Sequence, residues 1–323
     1  MNITDYRLHR VHLPLREPIG DSQVRFTDHW ITVVELHCDN GLRGIGFECQ
    51  QGLPTARLVS LQEEFEYTIW PSLKQAEPLG LAMRVERPRG GNVGPGFKTV
   101  PVETALWDLV AKQAGLPLYE FLGGTNPKVR AYGSTLDFRL DDNLFRTKLE
   151  RMQRYGFSAF KVKVGHPDIA WDLRRLQLVR DVVGCEVDLM IDANEGYNAT
   201  TAIRLGRELA DLDLVWFEEP VNAQDLDAYL EVKAALPMAI AGGENLRTRY
   251  EFKPYLTQRA YDIVQPDIMH CGGITEMARI CAMANACGIQ VNPHVWGSPV
   301  MIAATLHLAA TLPPCPPDLK CTP

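Results

Sequence analysis

From about residue 130 onward, short apolar runs that end in polar residues alternate with stretches whose apolar positions recur every three or four residues. Such runs suit buried parallel strands and the longer step suits amphipathic helices, so the pattern predicts repeated β/α units. Strands are expected at 131–138, 159–165, 188–194, 214–220, 239–245, 262–268 and 290–294. Their starts lie 23 to 29 residues apart, which leaves room for one helix per unit. Seven such units favour a (β/α) barrel over an open sheet. The clearest helix covers 169–183, where Ile169, Leu173, Leu176, Val179 and Val183 share a face and Gly184 stands at the stop. The run 301–312 reads as a buried helix, well short of the ~20 residues needed to cross a bilayer.

The N-terminal part follows a different rule. Segments 32–37 and 44–48 flank Asp39, Asn40 and Gly41, which predicts an antiparallel hairpin. A helix is expected over 103–114, with Ala105, Leu106, Leu109 and Val110 as its apolar face and Gly115 at its end. The expected fold is therefore α/β: an α+β capping domain over 1–125 and a modified (β/α)8-type TIM barrel over 126–323. No eighth strand is visible in the sequence, so the barrel is expected to be open at that seam. The glycine-rich segment 90–96 is expected to be a mobile loop.

Composition narrows the function. The 323 residues carry 33 Lys+Arg against 40 Asp+Glu, a net charge of −7, with 46% hydrophobic residues. That balance argues against holding nucleic acid or an anionic membrane by charge and favours small-molecule chemistry. The N-terminus has neither a basic stretch nor an apolar stretch of signal-peptide type, and a cytoplasmic protein is expected. Eight cysteines without a C-x-x-C pair read as reduced, mostly buried thiols.

In a barrel the chemistry sits where the strands end. Here those ends present Lys161 and Lys163, Asp192 and Asn194, Glu218, Glu244, Asp267 and His294. Each alone has a structural explanation: a helix cap, a solvated stripe or a hydrogen-bonded histidine. Together they would crowd charge into one low-dielectric mouth, which is costly unless a metal or substrate compensates. Asp192, Glu218 and Glu244, spaced 26 and 26 residues apart, supply three hard oxygen ligands suited to Mg²⁺, and zinc is a poor fit without Cys or His. Lys161 and Lys163 could balance the charge, with a lowered lysine pKa making a base. Asp267 could orient His294 as an opposing acid/base group. A cation between two such groups suits proton abstraction next to a carboxylate. The segment 91–99 lacks the G-K-[ST] order of a phosphate loop, and no nucleotide site is expected.

The series KVKVG, DAN, FEEP, GGEN, QPDIMHCGGI and PHVWGSP, preceded by DNGLRGIGFE (39–48) and VETALWDLVAKQAGLPLYEFLGG (102–124), resembles the mandelate racemase subgroup of the enolase superfamily over nearly the whole chain. A Lys or His base paired with Mg²⁺ is general to sites of that superfamily. The resemblance implies Asp192, Glu218 and Glu244 as metal ligands, Lys163 as one base with Lys161 as its electrostatic partner, and Asp267 with His294 as the opposing pair. It places Asn194 in a supporting or substrate-contacting role. It implies a hydro-lyase that dehydrates an aldonate or aldarate to a 2-keto-3-deoxy acid, with a racemase or epimerase on the same site as the alternative and a silent metal or sugar-acid binder as a third. Segment 17–30 and the turn 49–52 occupy the places of specificity loops, with Arg25 or His29 as a distal clamp, Gln50 at the turn and Trp296 shaping the pocket. A homo-oligomer, from dimer to octamer, is also implied.

Overall fold

The computed structural model describes residues 1–50, 62–83, 99–136 and 138–313. The expected loop 90–96 and the rejected phosphate-loop segment up to residue 98 lie outside them. Three antiparallel strands open the chain: β1 (Ile3–Gly20), β2 (Arg25–Cys38) and β3 (Arg43–Gln50). β2 and β3 are the expected hairpin. β1 is a strand that the hydrophobic pattern does not single out, because His9, Arg10, His12 and Pro14 dilute its alternation. Segment 17–30 is accordingly the closed end of a long hairpin rather than a free loop, with only 21–24 between the strands.

Helix α1 (Val100–Ala114) starts three residues before the expected position, with Pro101 in its first turn, and ends at Gly115 in the left-handed region (φ 67°). It lies against β3 so closely that a Cβ on Gly46 would come within 1.6 Å of the Pro101 carbonyl oxygen, and one on Gly44 within 2.2 Å of that of Ala105. Two glycines are thus what allow the helix to cover the sheet.

The second sheet is parallel and runs in sequence order: β4 (Gly133–Ser134), β5 (Ala159–Lys163), β6 (Asp188–Asp192), β7 (Leu214–Glu218), β8 (Ala239–Gly242), β9 (Ile263–Val264) and β10 (Gln290–Val291). All seven expected strands are present as a curled half-barrel, several much shorter than expected. Interleaved helices include α2 (Asp142–Arg154), α3 (Ile169–Val183), α4 (Ala199–Glu208), α5 (Leu226–Ala235), α6 (Thr248–Thr257), α7 (Ile274–Ala286) and α8 (Pro299–Ala309). α3 has the bounds that its periodicity predicts, and Asp168 caps it by accepting from the Ala170 N–H.

The reading of 301–312 as a buried helix needs correction. α8 buries Met301, Ala304, Thr305 and Leu308 but leaves Ile302 and Leu306 each 44% exposed. Both line the central cavity instead of a packed core. No described helix is long and apolar enough to cross a membrane.

Candidate metal and proton-transfer site

Sheet register assembles the site. Lys163 pairs with Asp192, and Asp192 pairs with Glu218, so three neighbouring strands end on functional side chains at one level. Further round the sheet an isolated parallel bridge joins Asp267 to His294. Asp192, Glu218 and Glu244 are all buried, and one oxygen from each lies within 4.8 Å of the others. Glu244 Oε2 is buried and accepts no hydrogen bond. An all-oxygen set with one buried oxygen free of any hydrogen bond, and faced by His294 Nε2 at 3.3 Å, fits a hard divalent cation such as Mg²⁺.

The lysines sit among these carboxylates. Lys161 Nζ contacts Glu218 Oε1 and lies 3.2 Å from Asp192 Oδ2, while Lys163 Nζ donates to Asp192 Oδ2 at 2.6 Å and to Asn194 Oδ1 at 2.7 Å. Burial alone would lower both ammonium pKa values, but Glu218 beside Lys161 and Asp192 beside Lys163 outweigh it and raise them. In place of the expected lowering, these carboxylates raise both lysines while no cation shares their charge. The charges nearest each ammonium are carboxylates rather than like charges.

On the opposite side, His294 Nδ1 bonds Asp267 Oδ2 at 2.6 Å, and His294 Nε2 lies 3.3 Å from Glu244 Oε2. Burial alone would lower the imidazole, but Glu244 and then Asp267 push it up to about 9. Asp267 is itself fixed, because its Oδ1 accepts the Met269 N–H at 2.6 Å. The imidazole therefore has one nitrogen committed to a carboxylate and the other turned toward the triad.

Supporting residues emerge that the strand-end pattern does not single out. Trp216 Nε1 and Gln265 Nε2 both donate to Glu218 Oε2, at 3.0 and 2.6 Å. Glu219, next to Glu218, is fully buried, in left-handed backbone (φ 40°), and both its oxygens accept from Asn245 Nδ2. Burial and then Glu244 hold its carboxyl well above the usual range. The alternation of the strand, which turns Glu218 inward and gives Glu219 a different environment, is the signal that could have separated the two.

The loops after β5 and β6 are tied together by Tyr197, whose Oη accepts from the Gly165 N–H at 2.8 Å and donates to Asp172 Oδ2 at 2.5 Å. Burial pushes the Asp172 carboxyl up to about 6 from 3.8, against the opposing bond from Tyr197. A carboxyl whose folded value is raised lets the unfolded chain ionise first. Its contribution to stability therefore falls as pH rises from about 4 to 6 and is level above that window. The stability difference between wild type and Asp172→Asn should change by on the order of 2–3 kcal/mol across it. Denaturant titrations at about four pH values check this, and a difference that does not vary with pH would refute it.

Sequence matches decide the family. Residues 145–319 match the enolase C-terminal domain-like family, and residues 3–123 match the mandelate racemase / muconate lactonizing enzyme N-terminal domain. The chain belongs to the enolase superfamily. It is 36% identical over 322 residues to D-galactarolactone cycloisomerase of Agrobacterium fabrum, covering 98% of this chain and 84% of that one. It is 33% identical over 322 residues to L-talarate/galactarate dehydratase of Salmonella typhimurium, covering 95% and 78%. A structure of a racemase from Streptomyces coelicolor A3(2) with bound magnesium superposes with a TM-score of 0.85 at 27% identity, covering 96% of this chain and 87% of that one.

In this enolase-superfamily chain Lys161, Lys163, Glu244, Asp267 and His294 line a cavity of about 1070 Å³ that also takes in Asn194 and Trp296, with Asp192 and Glu218 buried behind that lining. Trp296 packs against Phe26 and His29, with ring centroids 4.9 and 5.0 Å apart. Two expected contacts are not on that wall. Arg25 is exposed, and His29 packs edge-on against the cavity residue Trp296 without itself lining the cavity. The hairpin tip instead reaches the site through Ser22, whose hydroxyl donates to the Ala193 carbonyl at 3.2 Å, and Gln23, whose amide donates to that of Asn194. The side chain of Gln50 and residues 51–52 lie outside the described residues. Arg25→Ala should therefore change KM for mono- and dicarboxylates alike by less than about twofold. A selective rise for the dicarboxylate in steady-state kinetics would restore Arg25 as a clamp.

Proposed function

We propose that this chain is a Mg²⁺-dependent lyase that removes the proton next to the carboxylate of an acid sugar, an aldonate or aldarate, and expels the 3-hydroxyl to give a 2-keto-3-deoxy acid. One observation carries the reading: Lys163 and the Asp267–His294 pair stand on opposite sides of the carboxylate triad. A binding protein would need the triad but neither proton-transfer group.

Asp192, Glu218 and Glu244 would hold the metal, which supplies positive charge against the negative charge that builds on the substrate carboxylate. Lys161 adds a fixed positive charge beside Glu218 and Asp192. One group, Lys163 or His294, takes the C2 proton, and the electron pair left behind forms the C2–C3 double bond as the C3–oxygen bond breaks. A second proton, from His294 if Lys163 is the base or from Lys163 in the opposite stereochemistry, turns the departing hydroxide into water. The enol then becomes the ketone as C3 takes a proton and the hydroxyl on C2 gives one up to solvent. Asp267 holds His294 so that Nε2 faces the reacting atoms. Asn194 anchors Lys163.

Two groups on opposite faces would also serve inversion at C2 alone, and the likeness to a racemase favours keeping that second reading. Proton NMR of pooled aldonates and aldarates in D₂O with Mg²⁺ separates them. A new 3-deoxy methylene signal supports dehydration, whereas deuterium at C2 without that signal replaces it with racemisation or epimerisation. Neither signal from any pooled acid would defeat both.

A further inference from the structure

Glu103 lies outside the cavity, on α1 of the N-terminal domain, yet it is 1% exposed and saturated with hydrogen bonds from the barrel and from its own helix. Its Oε2 accepts the Ile274 N–H at 2.8 Å. Its Oε1 accepts the Thr275 N–H at 2.8 Å, the Trp107 indole N–H at 2.9 Å and the Thr275 hydroxyl. The carboxylate thus takes the first free N–H groups of the 13-residue α7, where the helix end carries partial positive charge. The approach is close enough that a Cβ on Gly273 (φ +98°) would fall 2.5 Å from Glu103 Oε2.

A compact turn connects that anchor to the catalytic pair. Asp267 begins it, and the Asp267 carbonyl oxygen accepts the Cys271 N–H at 2.8 Å. The short helix Ile268–Cys271 ends at Gly272 and Gly273, both left-handed, with the Gly273 N–H on the Ile268 carbonyl at 2.9 Å. Asp267 can therefore shift only if this turn moves, and Glu103 pins the turn where it enters α7. The same α1 lies on β3, and β3 brings Cys49 against Gly297, three residues after His294. The N-terminal domain thus braces both halves of the pair, one through Glu103 and the other through Cys49.

We propose that Glu103 is a positioning residue for Asp267 and His294: through it the N-terminal domain sets the distance between the carboxylate and the imidazole. This rests on the dehydratase reading for its kinetic consequence but not for its structural one. Of the metal triad, Asp192 and Glu218 hang on β6 and β7, whereas Glu244, just after β8, meets this turn through its carbonyl oxygen, 2.8 Å from His270 Nδ1, and the pair through Oε2, 3.3 Å from His294 Nε2.

The test uses full-length Glu103→Gln, which keeps the side chain's size but turns an amide N–H₂ toward backbone donors, and Thr275→Val, which removes the hydroxyl with its contacts to Glu103, the Trp107 indole and the Ala82 carbonyl but keeps the Thr275 N–H on Glu103. In wild type the proton on His294 Nδ1, shared with Asp267, should give a downfield resonance in histidine-labelled protein, assigned by its loss in His294→Asn. Glu103→Gln should shift or broaden that resonance, and Thr275→Val should do so to a lesser degree. Mg²⁺ affinity by calorimetry should stay within about twofold. Turnover of the pooled acid sugars should fall about 10²-fold in kcat with KM little changed, the loss expected of a misplacement near 1 Å. An unmoved resonance in both variants overturns the proposal. So does a parallel loss of Mg²⁺ affinity, which would show that Glu103 serves the fold as a whole. If wild type turns over none of the acids, the dehydratase reading fails, and the resonance still decides the positioning role.

Discussion

Replacing His294 with asparagine should lower turnover by about 10²- to 10⁴-fold, the usual range for a general acid or base, while Mg²⁺ binding survives. Asparagine can still donate to Asp267, so the turn beneath it need not rearrange, but it has no proton to exchange at neutral pH. The other imidazole on the cavity wall, His270, has its Nδ1 2.8 Å from the Glu244 carbonyl oxygen and stands apart from the Asp267 bond that orients His294. It is poorly placed to substitute. Steady-state kinetics with Mg²⁺ calorimetry on the same preparation checks both halves. Turnover within twofold of wild type would remove His294 from the mechanism, and loss of Mg²⁺ binding would show that the variant had disturbed Glu244 instead. Lys163→Ala tests the other face, since in D₂O only the base variant should lose C2 exchange as well as product.

Much of this site is legible in the sequence because parallel β/α units repeat one geometry. Each strand ends at the same rim, so residues 26 apart, Asp192, Glu218 and Glu244, arrive together without any long-range information. The ordering of strands follows the same logic, since sequential β/α units place each strand beside the last. What the sequence hides is pairing between distant segments. The strand character of 3–20 depends on β2 lying beside it. The direction in which Arg25 points depends on that register, and a one-residue slip would reverse it. The lysine pKa values escape the sequence for a related reason. Strand alternation places Lys161 and Lys163 on one face, but only the register of β5, β6 and β7 shows that carboxylates meet them there. Glu103 is the extreme case: its four donors come from its own helix and from residues 171 and 172 positions away.

Chelating divalent cations should reduce turnover to background and leave the protein folded. Three buried carboxylates would ordinarily repel one another strongly enough to loosen the strands that carry them. Here Lys161 and Lys163 contact Asp192 and Glu218 directly, and His294, pushed up to about 9, stands 3.3 Å from Glu244, so positive charge faces all three carboxylates even without a metal. A bound Mg²⁺ would bring two further positive charges to carboxylates that the lysines already contact, so metal and ammonium groups would share the same side chains. Removing the metal should cost only the linkage term, about 2.7 kcal/mol if Mg²⁺ had been held at a hundred times its dissociation constant. Circular dichroism before and after chelation should superpose, the melting temperature should fall by several degrees, and re-added Mg²⁺ should restore activity. Asp192→Asn should remove both the activity and the Mg²⁺-dependent rise in melting temperature, because that residue contacts both lysines as well as the metal position. Persistent turnover in chelator would overturn the metal-dependent mechanism. Wholesale unfolding would show instead that the lysines do not compensate the triad, and that the cation is part of the fold.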